Sequence, residues 1–113
     1  MVYDLEERTA KFGEAVIKFC GAMKQDVVIR PLIGQIVRSA TSIGANYMEA
    51  NQASSKKDFR NKVKISQKEA NETKHWLRMI AAANKSYGDG CKKLWKEAHE
   101  LTLIFAKISK SCQ

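Results

Sequence analysis

Proline is nearly absent from this chain of 113 residues, and glycine is scarce. One proline and six glycines leave few positions that would interrupt a helix. No segment alternates strictly between apolar and polar residues, as a half-buried strand would. Hydrophobic residues make up 44% of the sequence, which is enough for a core in one domain of this size. These features argue against a β-rich or disordered chain and favour an ordered helical domain.

Long apolar runs and paired cysteines are also missing. No run approaches the roughly 20 residues that a membrane span needs, and the first residues, MVYDLEER, do not have the layout of a signal peptide. The three cysteines are odd in number and include no CxxC pair. Cys20 and Cys112 lie on or beside apolar lines and Cys91 begins one, so we expect buried reduced thiols rather than disulfides. A cytoplasmic protein without membrane contact is the expectation.

Charge is missing from one long stretch, Pro31 to Ala53. Only Arg38 and Glu49 are charged there, although 28% of the whole chain is charged. Wound as a helix, the stretch has an apolar arc of about 160°, and small neutral polar residues occupy the other side. Because a solvated helix normally has a charged outer face, we expect that its own bundle and a neighbouring molecule enclose this helix. The alternative is a harmless surface of short polar side chains.

Four helical stretches account for nearly the whole chain. The first is predicted at about 4–24, the second from about Pro31 to Gln52, the third from Lys56 to Asn84 and the fourth at 90–111. Proline is tolerated in the first turn of a helix, where its missing N–H costs little. Two glycines in SYGDG, residues 86–90, predict a turn before the fourth helix.

Local signals support these boundaries. Asp4 with Glu7, and Ser55 with Asp58, have the spacing of capping pairs at the starts of the first and third helices. Each helix has an apolar line with residues three and four positions apart, as in heptad packing. The lines run over 5–23, 32–50, 59–80 and 91–112. With short connections, this pattern predicts an all-α, antiparallel, left-handed four-helix bundle in one domain of residues 1–113.

The two middle helices resemble a known family. The segments LIGQIVRSATSIGANYMEA (32–50) and SSKKDFRNKVKISQKEANETKHWL (54–77) are similar to small four-helix-bundle proteins encoded in intervening sequences of bacterial large-subunit ribosomal RNA genes. The family pattern Q-x-x-R-S-x-x-S-I-x-x-N-Y-x-E is present from Gln35 to Glu49. The run K-E-A-x-E-T-x-x-W-L is present from Lys68 to Leu77.

This resemblance has implications for assembly and partners. It implies a closed homo-oligomer, a pentamer in the family. It also implies a likeness to accessory proteins of diversity-generating retroelements, which bind nucleic acid beside a reverse transcriptase. No enzymatic activity is established for the family. The expected partners are therefore copies of the chain itself, RNA or DNA, and a nucleic-acid enzyme.

Several charges and large apolar residues stand apart from the core lines. Arg38, Glu49, Glu69 and Glu72 are expected in a buried ion pair or interface, with Arg38 satisfying Glu69 or Glu72 because a buried charge must be paired. The alternative for the two carboxylates is acid–base chemistry. We expect an oligomer interface at the large apolar residues beside these charges: Ile33, Val37, Met48, Ile65, Trp76 and Met79. For Trp76 and Met79, the alternative is a platform for a ligand or a base.

The third helix also carries a basic line. Residues 54–85 have nine basic and three acidic side chains, which is +6 of the net +8. The positions that bear the line fall within about 80° of one another on the helix: Lys57, Arg60, Lys64, Lys68, Asn71, His75 and Arg78. Such a line can contact phosphates, and because nothing here reads base edges, binding would tolerate any sequence. The alternative is a solvated, lysine-rich surface.

Sites for catalysis, metals and cofactors are not predicted. His75 and His99 are too far apart for a helical pair of ligands, and the chain has no phosphate-binding glycine loop and no arguable nucleophile with its base. We therefore expect a non-enzymatic, oligomeric bundle that binds nucleic acid or assists a nucleic-acid enzyme. The alternative is an interaction scaffold whose basic face meets an acidic protein. An enzyme is the third interpretation.

Overall fold

The structure, a computed structural model, describes residues 4–112 and is built from four α-helices. They are α1 (Leu5–Gly21), α2 (Ile29–Asn51), α3 (Lys56–Ala83) and α4 (Gly88–Ser111), with a short 3₁₀ segment at Lys85–Tyr87. No strand occurs within residues 4–112, and the predicted four-helix bundle is confirmed. Residues 1–3 and 113 of the predicted domain lie outside the described residues.

The two capping predictions are confirmed by hydrogen bonds at the starts of α1 and α3. The Asp4 carboxylate accepts from the Glu7 amide at 3.0 Å, and the Ser55 hydroxyl oxygen accepts from the Asp58 amide at 3.0 Å. Each side chain satisfies an amide that has no partner within its helix.

The connection between α1 and α2 is longer than predicted. α1 ends at Gly21 rather than near residue 24. Asp26 then accepts from the amides of Val28 and Ile29, so α2 begins at Ile29 and Pro31 lies inside its first turn. An aspartate side chain that satisfies these two amides starts the helix before the proline is reached.

The predicted turn at residues 86–90 is shorter in the structure. The Asn84 side chain accepts from the Ser86 amide at 2.9 Å and supports the 3₁₀ segment, after which α4 begins at Gly88. Gly90 is therefore helical, and it is a glycine for a packing reason. A Cβ atom at Gly90 would overlap the ring of Phe19 on α1.

The core lies along the four predicted apolar lines, and their central positions are almost completely buried. The largest fully buried apolar side chains come from every helix: Val16, Ile29, Ile36, Ile43, Val63, Leu77, Ile80, Leu101 and Phe105. α2 and α3 share the most extensive interface, and α3 packs next most extensively on α4. Between α2 and α3, Ser39 and Thr73 form a buried hydrogen bond of 2.8 Å.

All three cysteines are free thiols, as expected. Cys20 and Cys91 are buried, and burial raises the pKa of each thiol from 9.0 to about 11. The neighbouring Cys91 adds a smaller upward contribution to the pKa of Cys20. Cys112 is only half-buried, because it follows the last turn of α4.

The helices lie along one long axis. The principal dimensions of the described residues are 45 × 22 × 20 Å. Between residues 4 and 112, none of the helices has the length and apolarity required to span a membrane.

Candidate nucleic-acid interface

The basic line of α3, defined by Lys57, Arg60, Lys64, Lys68, His75 and Arg78, lies on the outer side of the helix. Arg60 is half-buried and the other five residues are exposed. The buried residues Val63 and Ala70 lie on the opposite side of α3. Within residues 4–112, none of the six forms a salt bridge with a carboxylate. The line therefore presents five lysine and arginine side chains that no carboxylate of residues 4–112 pairs with.

The length of this line follows from helix geometry. From Lys57 to Arg78 it extends about 32 Å at 1.5 Å per residue. A solvent-facing line of one charge sign raises the local concentration of anions along it. The close spacing of its basic side chains and its length suit a polyanion better than a small anion.

On the side of α3 that faces α2, Arg38 contacts both Glu69 and Glu72. The Arg38 Nη1 atom is 3.3 Å from Glu69 Oε1, and its Nη2 atom contacts Glu72 Oε2. The side chain of Arg38 is 47% exposed and that of Glu69 is 16% exposed. The expected partners are therefore together, but the ion pair lies at the rim of the α2–α3 interface, because the long guanidinium side chain reaches outward from its helix. Enclosure by a neighbouring molecule stays a prediction.

Glu49 belongs to a different pair. Its carboxylate accepts from Lys62 Nζ at 3.0 Å, and its side chain is 53% exposed. This hydrogen bond raises the pKa of Lys62. In the single chain the Glu49 carboxylate is therefore paired and largely exposed, and its burial at an interface stays a prediction.

The proposed interface residues form a partly exposed apolar flank on α2 and α3. Met48 and Ile65 are exposed. Ile33, Val37 and Trp76 are half-buried and pack against the core, and Met79 is also half-buried. The Nε1 atom of Trp76 is buried and finds no hydrogen-bond acceptor among residues 4–112.

A groove of about 390 Å³ runs between α1 and α2. It is lined mainly by small and apolar residues, including Ala10, Gly13, Ile17, Gly44, Ala45 and Met48. Ile17 and Met48 are each 48% exposed. The weakly charged side of α2 therefore borders an open groove in the single chain.

A second basic surface, which was not predicted from the sequence, lies in the cleft between α3 and the start of α4. The cleft has a volume of about 440 Å³ and is lined by Leu77, Arg78, Ala81, Gly88, Cys91, Lys92, Trp95 and Lys96. The run KKLWK at 92–96, in which lysines surround a tryptophan, was the available signal. A count of net charge by segment hid it, because Asp89, Glu97 and Glu100 offset the lysines in the sum, although none of them lines the cleft.

One side of Trp95 is braced by its neighbours. The rings of Trp95 and His99 are stacked with centroids 5.0 Å apart and planes at 14°. Lys74 Nζ lies 5.1 Å from the centre of the Trp95 ring and 3.1 Å from His99 Nδ1. His99 thus contacts a lysine and a tryptophan. No group of three or more metal-ligating side chains occurs within residues 4–112.

Comparison with known proteins identifies relatives of the whole bundle. Residues 3–107 match the family model described as "23S rRNA-intervening sequence protein". The chain is also similar to a crystal structure of a protein with unknown function from the S23 ribosomal protein family of Bacteroides thetaiotaomicron VPI-5482. The two are 33% identical, with a TM-score of 0.81, over 93% of this chain and 97% of that one. No curated protein matches the chain at a significant level.

Proposed function

This chain belongs to the 23S rRNA-intervening sequence protein family, and we propose that it is a non-enzymatic protein that binds nucleic acid through the basic line of α3. The observation that carries this proposal is the absence of internal carboxylate partners along that line within the described residues. Cations that already form internal pairs would have to give them up in order to bind phosphates. Among the residues that the structure describes, these side chains have no such pairs to lose.

The chemistry of the line favours contacts with the sugar–phosphate backbone. Lysine and arginine side chains on an exposed helix neutralise phosphates and release the counterions that surround nucleic acid. Phosphate contacts alone carry no sequence information. Binding is therefore tolerant of sequence and weakens steeply as the salt concentration rises.

Assembly would strengthen this binding. The apolar flank and the groove between α1 and α2 give the chain surfaces on which further copies of itself can pack, and the family resemblance implies a ring of five. In a closed ring the basic line repeats on every subunit. Weak contacts on neighbouring subunits then add through a raised effective concentration.

The second candidate function is a scaffold that binds an acidic protein. The same cations would attract carboxylates, and Ile65, which is exposed on the same helix, offers an apolar contact. Arginine can hold a carboxylate or a phosphate by two parallel hydrogen bonds, so Arg60 and Arg78 fit either partner. If both partners use the basic line, RNA should displace an acidic protein from it, and this displacement can be measured directly.

The test replaces Arg60, Lys64 and Lys68 by glutamine, which preserves helix propensity and leaves the core unchanged. Filter binding of single-stranded RNA is measured across a salt series. We expect the triple variant to remain folded, to bind every RNA sequence more weakly and to have a shallower salt dependence. Each phosphate contact removed should flatten the log–log slope by nearly one unit.

A matched control replaces Lys11 and Lys18 on α1, which are exposed and lie among charges of both signs. Little change in affinity is expected for this double variant. Equal binding by the wild type, the triple variant and the control would show that the basic line is only a solvated surface. Binding of an acidic protein that RNA does not displace would favour the scaffold.

A further inference from the structure

Every charged side chain that lines the cleft between α3 and α4 is basic. Its lining includes Arg78, Lys92 and Lys96 but no carboxylate, and none of these cations is in a salt bridge within the described part of the chain. The larger cleft between α1 and α4 is different, because Asp4, Glu7 and Glu97 line it together with basic residues. Charge complementarity therefore points to an anionic occupant of the α3–α4 cleft.

An aromatic surface and an apolar floor accompany these charges. Trp95 is 39% exposed and lines the cleft, whereas its partners His99 and Lys74 do not. These partners therefore brace the indole from outside the cleft and hold its orientation. Leu77, Ala81 and Cys91 contribute the apolar part of the lining. A volume of about 440 Å³ lies within the range of small-ligand pockets.

Together, these groups match one chemical class. A nucleotide combines a flat base, which stacks on an indole, with a phosphate, which lysine and arginine bind. An acidic peptide would use the cations but would leave the aromatic surface without a planar partner. The occupant that uses the whole cleft has both a base and a phosphate.

Arg78 joins the cleft to the basic line of α3, because it is the last member of the line and also part of the cleft lining. A strand that follows the basic line therefore arrives at Trp95. We propose that the α3–α4 cleft holds one unstacked nucleotide of a single-stranded nucleic acid, with its base against Trp95 and adjacent phosphates near Arg78, Lys92 and Lys96. This inference rests on the proposed function, since it takes the ligand to be nucleic acid.

A cleft that holds an unstacked base should prefer single-stranded nucleic acid to a duplex. A base inside a duplex is paired and stacked, and exposing it costs free energy that a single-stranded base does not require. The basic line has no such requirement, because phosphates are accessible in both forms. The cleft therefore discriminates between strand types, whereas the basic line does not.

The experiment compares the wild type with Trp95→Leu, which keeps an apolar side chain in the cleft and removes the stacking surface. Three probes of equal length are used: an oligothymidylate, the same backbone with abasic sites, and a duplex. Base stacking on aromatic residues predicts that Trp95→Leu lowers oligothymidylate affinity about 10-fold. The salt slope should not change, because no charge is removed. Wild-type affinity for the abasic strand should resemble that of the variant for oligothymidylate, and duplex affinity should be equal in both proteins.

Two further variants keep the result interpretable. Leu103→Ala removes another exposed apolar side chain of α4 that lies outside the cleft lining, and it should bind all three probes like the wild type. Lys92→Gln combined with Lys96→Gln retains Trp95 and should weaken strand binding with a shallower salt slope. If Trp95→Leu does not fold, the Lys92 and Lys96 variant and the abasic probe still decide the question.

The outcomes separate this inference from the proposed function. Unchanged oligothymidylate binding by Trp95→Leu, together with loss of binding by the Arg60, Lys64 and Lys68 variant, would overturn the cleft inference and leave the proposed function standing. Absence of binding to every probe would overturn both. If a free mononucleotide binds as tightly as the strand, the occupant is the free nucleotide and the strand inference is wrong.

Discussion

The contribution of Arg38 to stability depends on whether a neighbouring molecule covers its ion pair. In the single chain its guanidinium contacts Glu69 and Glu72 while 47% of the side chain remains exposed. Ion pairs open to solvent contribute about 1 kcal/mol or less to stability. Removal of one partner from a fully enclosed pair costs about 3–5 kcal/mol, because a carboxylate is left buried without its cation. The loss on mutation of Arg38 therefore reports whether a neighbour covers the rim.

We predict that Arg38→Ala lowers the free energy of unfolding by about 1 kcal/mol in dilute protein. Under assembled conditions the loss should rise toward about 3–5 kcal/mol. Denaturant melts at two protein concentrations measure the difference. Arg30→Ala is the control, since Arg30 is exposed and its side chain donates a long hydrogen bond of 3.4 Å to Gln25, and it should change stability by less than about 0.5 kcal/mol. An Arg38→Ala protein as stable as the wild type at both concentrations would contradict the pairing.

At the scale of elements, α1 is joined to the start of α4 by an aromatic corner. The ring of Phe19 packs edge-to-face on Tyr87, with centroids 6.2 Å apart, and the Tyr87 hydroxyl accepts from the Lys24 amide at 2.9 Å. Gly90 lets the Phe19 ring approach the backbone of α4. The ion pair between Arg8 and Glu97, with Nε and Oε2 2.8 Å apart, joins the same two helices elsewhere, so the aromatic corner is one of the contacts that hold α1 against α4.

Alanine at Gly90 should therefore destabilise the bundle, although alanine favours helices. The gain in helix propensity is about 1 kcal/mol, whereas forcing Phe19 out of its packed position costs about 1–3 kcal/mol. A net loss of about 1 kcal/mol is expected in chemical denaturation.

Gly34 provides the opposite control, because a Cβ atom there meets no neighbour within 4 Å. Gly34→Ala should stabilise the protein by about 0.5–1 kcal/mol. Equal stabilisation by both alanine variants would show that the Phe19 ring moves aside without a measurable loss of stability.

For the whole molecule, the exposed apolar residues and the basic line lie on different parts of the surface. Ile17, Met48 and Ile65 are exposed, and the first two line the groove between α1 and α2. The basic line lies elsewhere, on the outer side of α3, and like charges there would oppose contact between copies. We therefore expect self-association to use the apolar flank and groove, which would leave the basic line open to a polyanion.

We predict that sedimentation at micromolar concentration gives the mass of an oligomer, at least twice the chain mass of 12.7 kDa. Met48→Glu combined with Ile65→Glu should shift the protein toward the monomer without loss of helical content, because charges would be buried in the interface. The control is Leu103→Glu on α4, which alters another exposed apolar residue and should leave the mass unchanged. A wild-type monomer at this concentration would contradict the prediction that a neighbouring molecule encloses α2.

The sequence by itself determined the helices, their capping at Asp4 and Ser55, and the apolar lines that form the core. It also placed the basic line of α3, because all its members lie on one helix and their spacing alone aligns them. These features depend on hydrogen bonds and periodicities within a few residues of the chain. Net charge and local pattern were enough to find them.

Only the tertiary structure decided which side chains from different helices meet. Glu49 pairs with Lys62, Gly90 accommodates Phe19, and Arg78 faces Trp95 across a cleft, although each pair is separated by many residues. Such contacts depend on the rotation and axial offset of one helix against another, and helix periodicity leaves both undetermined. The basic line could therefore be read from one helix, whereas the cleft required the placement of two.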